Sequence, residues 1–213
     1  MMINIRREQP VDYAAVEALT FAAFETMQIP EHPYTNEHIL VRLLRYCGDD
    51  NSVRELAKEG VILDSVPELD LVAESGGEIV GHIIYSRCWV IRPDGTETEA
   101  LVFGPLSVKP ELHRHGIGSQ LVEHSLSIAK KMGFGAVLIT GHPDYYKRFG
   151  FVPASRFGIT LPDGASFDAF MALELKVGYL GSEGGAWRLC RAFEALEELG
   201  RRRVIHSLGI PYE

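Results

Sequence analysis

A strand, a glycine-paired turn and an amphipathic helix follow one another between residues 100 and 132, and a second apolar strand comes straight after. The first run, Ala100-Leu101-Val102-Phe103-Gly104-Pro105-Leu106-Ser107-Val108, is apolar enough to be a buried strand. From Gly116 to about Met132, the residues Leu121, Val122, Ser125, Leu126 and Ala129 fall on one face at helical spacing. Gly133 and Gly135 stop that helix, and Ala136-Val137-Leu138-Ile139-Thr140 reads as another buried strand. Two strands joined through a helix lie parallel and side by side, so 100–108 and 136–140 are expected to be neighbours at the centre of a sheet. This requirement excludes all-α and pure sandwich folds.

The flanking sequence fills in the sheet. Ile3–Arg6 reads as a short strand, and Asp12 as the cap of a helix with Val16, Leu19, Ala23 and Phe24 on one face. Pro30 and Pro33 break it, and Asn36 caps a second helix with Ile39, Leu40, Leu43 and Leu44 inward. Val53–Lys58 suggests one more helical turn. Leu69–Glu74 and Ile79–Val90 are strands joined by the hairpin turn Ser75-Gly76-Gly77-Glu78, and Arg92-Pro93-Asp94-Gly95 turns the chain into the long strand ending at Val108. A short helix over about Asp144–Phe149, a strand at Phe151-Val152 and a strand near Phe170–Leu175 complete the unit. The fold class is α/β, with a central mixed, mostly antiparallel sheet and helices on both faces. Residues 1–175 form this domain, and 176–213 form an extension. In the extension, a Gly-rich link over 178–185 precedes an amphipathic helix from about Ala186 to Arg203, with Trp187, Cys190, Phe193 and Leu196 as its stripe. That stripe needs cover, either from the sheet or from a second copy of the chain, and a homodimer is the preferred expectation.

The segment His113-Arg114-His115-Gly116-Ile117-Gly118-Ser119 opens the central helix and makes an anion cradle. The first helical amides have no partner inside the helix and carry partial positive charge. Glycines let a phosphate reach the main chain, and Arg114 adds a cation that forks onto phosphate oxygens. A single Gly-x-Gly late in the chain does not make the Gly-x-Gly-x-x-Gly fingerprint of dinucleotide binding. The formal net charge of −8 argues against nucleic acid and suits an amine. Cys47, Cys88 and Cys190 are isolated and odd in number, which reads as reduced thiols in a cytoplasmic protein. The first residues lack a signal-like apolar stretch, no run approaches a membrane span, and His38, His124 and His206 have no metal-ligand spacing, so neither a membrane nor a metal is expected.

The order of elements, the helix-opening cradle and Tyr145-Tyr146-Lys147-Arg148-Phe149-Gly150-Phe151 together resemble the GNAT superfamily of acyl-CoA-dependent N-acetyltransferases, most specifically over 104–153. The resemblance implies that main-chain groups of Leu106, Ser107 and Val108 meet the pantetheine arm of acetyl-CoA. It implies that Arg114, His115, Gly116, Ile117, Gly118 and Ser119 hold the diphosphate, with His113 standing where the family signature has Gln or Arg. It also implies that Tyr146, five residues before Phe151, donates a proton to the departing thiolate. A tyrosine suits this role because its ordinary pKa near ~10 keeps it protonated at neutral pH. Adjacent helical side chains point in different directions, so one tyrosine of the pair at most enters the site. The carboxylate base common in the family is absent from Val102-Phe103-Gly104 and Leu138-Ile139-Thr140. His82 acting through water, or Glu25, Glu31 or His32 near the end of the first helix, are the remaining candidates, and His142-Pro143-Asp144 replaces the family's frequent Asn. Lys147 and Arg148 could reach the ribose phosphate of coenzyme A or solvate the helix, and the solvated reading is preferred. The implied activity is acetyl transfer from acetyl-CoA to a primary amine of a small metabolite or peptide. The alternative is an acyl-CoA-binding sensor or interaction module without turnover.

Overall fold

The computed structural model describes residues 2–25, 36–46 and 65–196. Strand β1 (Asn4–Arg7) leads through a single turn to helix α1 (Tyr13–Glu25), and α2 (Glu37–Tyr46) follows. The hairpin strands are β2 (Leu71–Ser75) and β3 (Glu78–Ile91), followed by β4 (Glu97–Val108), helix α3 (Ile117–Met132) and β5 (Ala136–Thr140). After the short helix α4 (Pro143–Tyr146) come β6 (Val152–Pro153), β7 (Ile159–Thr160), β8 (Phe170–Glu174) and β9 (Gly185–Arg188). The sheet runs β1-β2-β3-β4-β5-β8-β6, with β9 pairing both β3 and β7. The expected parallel contact between β4 and β5 is present, at the register Leu101↔Val137.

The hairpin turn works because Gly76 and Gly77 both take positive φ, 61° and 83°, as a two-residue turn between twisted strands requires. The two faces of the sheet have separate cores. On one, Ile117, Leu121, Val122 and Ala129 of α3 pack on Ile83, Leu101, Phe103, Val137 and Ile139. The helix comes so close at Gly81 that a Cβ there would lie 3.0 Å from both Ile117 and Leu121. On the other face, Val16 of α1 and Leu40, Val41 and Leu44 of α2 cover Val72 and Ile84. Asp12 sits in the turn before α1, where its carboxylate accepts the Gln9 N–H at 2.8 Å and pairs with Arg6.

The extension departs from expectation. Gly185–Arg188 is a strand, antiparallel to the outer half of β3 (Val90↔Trp187), and the helix expected from about residue 186 begins at 191. The physical reason is the length of β3: β2 covers Glu78–Ile83 and leaves the far half with an open edge. Trp187 is buried and stacks on Phe170 with ring centroids 4.8 Å apart. Cys190 is buried, and Phe193 and Leu196 are partly buried beside it against the chain's own α1–α2 core. The stripe therefore does not need a second copy to cover it. Cys88 is also buried, which pushes its thiol up to about 12. Cys47, His206, the helical turn at Val53–Lys58, residues 197–203 and the candidates Glu31 and His32 lie outside the described residues. No helix among the described residues is long and apolar enough to cross a membrane.

Candidate active site

Beyond Leu101↔Val137 no further β4–β5 register is formed, and the two strands part into a fork. A cleft of about 780 Å³ opens there, a size that suits a cofactor or small ligand. Leu106 and Val108 of β4, Ile117, Gly118 and Ser119 of α3, and His113, Arg114 and Gly116 of the connecting loop line it. Ala23 of α1, Leu112, His142, Asp144, Tyr145 and Arg148 complete the wall. Eight of the ten residues expected to hold coenzyme A thus lie together. The exceptions are His115, which is exposed beside the cleft, and Ser107, which turns its hydroxyl away to Thr20 of α1 at 3.1 Å.

The loop is shaped by backbone geometry. Gly116 caps α3 in the left-handed region at φ 82°, and Arg114 holds φ 66°, a conformation a side-chain-bearing residue adopts only at a cost of about 1 kcal/mol or more. The His113 ring lies 2.9 Å from the Val108 carbonyl and donates to it through Nε2–H, while His115 donates through Nδ1–H to the His113 carbonyl at 3.0 Å. The loop is therefore pulled back over the end of β4, and the first amides of α3 face the cleft without helical partners. Gly118 has a further use: a Cβ there would come within 2.9 Å of the Tyr145 hydroxyl. Arg148 stacks over the Tyr145 ring at 4.8 Å and lines the cleft, whereas Lys147 is exposed and paired with Asp144. Both side chains are exposed, as the solvated reading expects, and Arg148 in addition borders the cleft. Tyr145 and Arg148 stand three residues apart on one helical turn, a spacing that puts them on the same face.

A model of the acetyltransferase (GNAT) family matches residues 27–151, more than half of the chain. The chain belongs to the GNAT acetyltransferase family. The uncharacterized N-acetyltransferase YhbS of Escherichia coli strain K12 is 26% identical over 148 residues, covering 69% of this chain and 72% of YhbS. The uncharacterized N-acetyltransferase YjhQ of the same strain is 33% identical over 89 residues, so the match spans 42% of this chain and about half (49%) of YjhQ. Among solved structures, E. coli YhbS in complex with CoA superposes with a TM-score of 0.67 at 24% identity, over 90% of this chain and 92% of that one. A GNAT family acetyltransferase from Brucella melitensis in complex with acetyl-CoA gives a TM-score of 0.62 at 26% identity, over 90% and 98%.

Within this GNAT domain the adjacent tyrosines separate as helical neighbours must. Tyr145 lines the cleft, and Tyr146 turns inward against Phe103, Phe149 and Phe151. Tyr146 sits at the base of the fork, between Phe103 on β4 and Gly141 just past β5. A Cβ on Gly141 would lie 2.3 Å from its ring. Burial, reinforced by Tyr145, pushes the Tyr146 phenol well above its ordinary range and keeps its proton in place.

The carboxylates and the histidine meet elsewhere, on the α1–α2 face. His82 is fully buried, and its Nε2 lies 2.7 Å from Asp70 Oδ1 and 3.9 Å from Glu8 Oε1. Arg45 of α2, also buried, donates through Nε to Glu8 at 2.8 Å and reaches Glu17 at 3.2 Å. Burial and the charge of Asp70 outweigh Arg45 at Glu8 and push its carboxyl up to about 8. At Asp70 burial acts upward, but the hydrogen bond from His82 prevails and holds it below the usual range. The three ligand-capable atoms of Glu8, Asp70 and His82 lie within 4.8 Å of one another, but the Arg45 guanidinium already supplies the cation there. Sequence reasoning singled out His82 and missed its partners, because Glu8, Arg45 and Asp70 are far apart in the chain and share no spacing. Glu25 ends α1 as an exposed residue, with no place in the cleft wall.

Proposed function

We propose that this GNAT domain moves an acetyl group from acetyl-CoA to a primary amine of a small metabolite or peptide. The observation that carries the reading is the cleft itself, with a helix-start cradle at one end and, behind its wall residue Tyr145, the protonated Tyr146 phenol packed against Phe103 and Gly141. The cradle suits a diphosphate: its amides are unpartnered, Gly116 and Gly118 keep the approach open, and Arg114 supplies charge. Leu106 and Val108 offer main-chain groups to an amide-bearing arm along the parted edge of β4. CoA and acetyl-CoA occupy the two superposing relatives, which supports the same co-substrate here. Tyr146 gives its proton to the departing thiolate, and Tyr145, braced by Arg148, guides the cofactor arm. The acidic balance of the chain, −8, favours an amine acceptor.

The test is acetyl transfer to a panel of amines, followed by thiol release. Tyr146→Phe should lower turnover by about 10²–10⁴-fold with acetyl-CoA affinity retained. Tyr145→Phe should act mainly on affinity. A turnover loss in Tyr145→Phe and not in Tyr146→Phe would move the proton donor to the cleft wall. The second reading, an acyl-CoA-binding module, is favoured by the lack of a carboxylate on β4 or β5 at the fork. It requires tight acetyl-CoA binding with no transfer to any amine.

A further inference from the structure

The His82 ring is fully buried on β3, and its two nitrogens are in unequal situations. Nε2 lies 2.7 Å from the Asp70 carboxylate, so it carries the ring proton and donates it. Nδ1 is then a bare lone pair, buried and without a hydrogen-bond partner among the described residues. Buried acceptors left unmatched are rare and costly in folded proteins. An imidazole held by a carboxylate through one nitrogen, with the other nitrogen vacant, has the form of a general base waiting for its proton donor.

The donor is close at hand. His82 is paired in register with Ser107 on the adjacent strand β4, and directly opposed side chains share a face with Cβ atoms about 5 Å apart. Ser107 is itself buried and donates to Thr20 Oγ1 at 3.1 Å. Both hydroxyls are fully buried directly behind the cleft wall: Ser107 lies between the wall residues Leu106 and Val108, and Thr20 stands one turn before the wall residue Ala23 on α1. We propose that the Asp70–His82 pair is the proton acceptor of this transferase, connected to the cleft by the Ser107 and Thr20 hydroxyls. This inference rests on the acetyltransferase reading and supplies the base that Val102-Phe103-Gly104 and Leu138-Ile139-Thr140 lack.

The proton balance closes. The acceptor ammonium gives one proton through Thr20 and Ser107 to His82 Nδ1, and its freed lone pair forms the C–N bond to the thioester carbon. The C–S bond then breaks, the sulfur takes the Tyr146 proton, and the second nitrogen proton restores the phenol. His82 finally returns its proton to solvent, so each turnover yields amide, thiol and one proton. Asp70 acts as a positioning residue, fixing the tautomer and stabilising the imidazolium. The other charged groups facing the ring are Glu8 from the end of β1 and, behind it, Arg45 of α2 with Glu17 of α1.

The experiment is a pH–rate profile of kcat/KM on the full chain, with acetyl-CoA affinity measured separately by calorimetry. His82→Gln should lose at least about tenfold in kcat/KM and abolish the acid limb that protonation of Nδ1 imposes, with acetyl-CoA affinity unchanged. Asp70→Asn, with the carboxylate charge removed, should move that limb to lower pH, a shift that a purely structural role would not produce. Should either variant fold poorly, Thr20→Val, which keeps the side-chain shape, should lower kcat severalfold and leave KM for acetyl-CoA unchanged. A wild-type profile in His82→Gln, or a wild-type kcat in Thr20→Val, overturns the relay. A wild-type protein that binds acetyl-CoA and acetylates no amine overturns the parent reading instead.

Discussion

The cleft loop and the buried charged cluster solve opposite problems with opposite materials. Residues 113–119 build their cradle from main-chain amides, two glycines and a strained Arg114, and they are contiguous in sequence. The cluster draws Glu8, Arg45, Asp70 and His82 from four separate places and works through side chains alone. In the first, the backbone shapes the cleft wall and side chains mostly stay out of the way. In the second, each charge is tolerable only because the others are there. One should respond to substitution as a lost binding site in an intact fold, the other as lost stability.

The largest expected effect is at Arg45. Arg45→Ala leaves the Glu17 carboxylate without its buried cation and the Glu8 carboxyl without its hydrogen-bond donors, and breaking such a buried network typically costs about 3–5 kcal/mol. Urea unfolding measures it, and a loss below about 1 kcal/mol would mean that the cluster is not an interdependent unit. Next comes Gly118→Asp, which places a carboxylate at the mouth of the cradle, where a Cβ already crowds the Tyr145 hydroxyl. Acetyl-CoA affinity should fall by about 100-fold, near 2.7 kcal/mol, while the unfolding free energy stays within about 1 kcal/mol of wild type. Equal damage to binding and stability would erase the distinction between the two regions.

A pH dependence of stability sharpens the comparison from the side of the cluster. Glu8 keeps its proton up to about 8 when folded, against 4.5 for the free group. Between those values the folded state binds more protons than the unfolded one, so Glu8 makes stability decline as pH rises from 4.5 to about 8, with no further loss above. Glu8→Gln cannot ionise and retains an acceptor for Arg45, so its Tm should be flatter across that window. Each kcal/mol corresponds to about 2–4 °C for a chain of this size. Parallel Tm profiles for the two proteins would show that the Glu8 carboxyl is ionised throughout.

Where signals are local, the sequence was readable. Gly76-Gly77 announces the β2–β3 turn, Gly116 and Gly133 bracket α3, and both lie in the left-handed region as helix-bounding glycines do. That most of the contiguous loop 113–119 lines one cleft was readable for the same reason. The strand β9 was not, because Trp187, Cys190, Phe193 and Leu196 recur at three-residue spacing, which suits a helix. Its identity comes from the unpaired outer half of β3, a tertiary demand that outweighs local periodicity. The distribution of work between Tyr145 and Tyr146 was equally hidden. Motif position marks Tyr146, whereas which ring faces the cleft depends on how α4 is set against Gly141. Asp70 and Glu8 gave no sign at all, since nothing in their own neighbourhoods foretells a shared histidine.

The meeting of β4 and β5 at Leu101↔Val137 has a mechanical side. A nine-stranded sheet joined across its middle at one register position is two stiff plates sharing a short hinge, steadied by α3 lying across it. A molecule lodged in the fork is a wedge between those plates. Its arrival loads the hinge directly, and the exchange rates of the Leu101 and Val137 amide protons become a gauge of how firmly the wedge is driven.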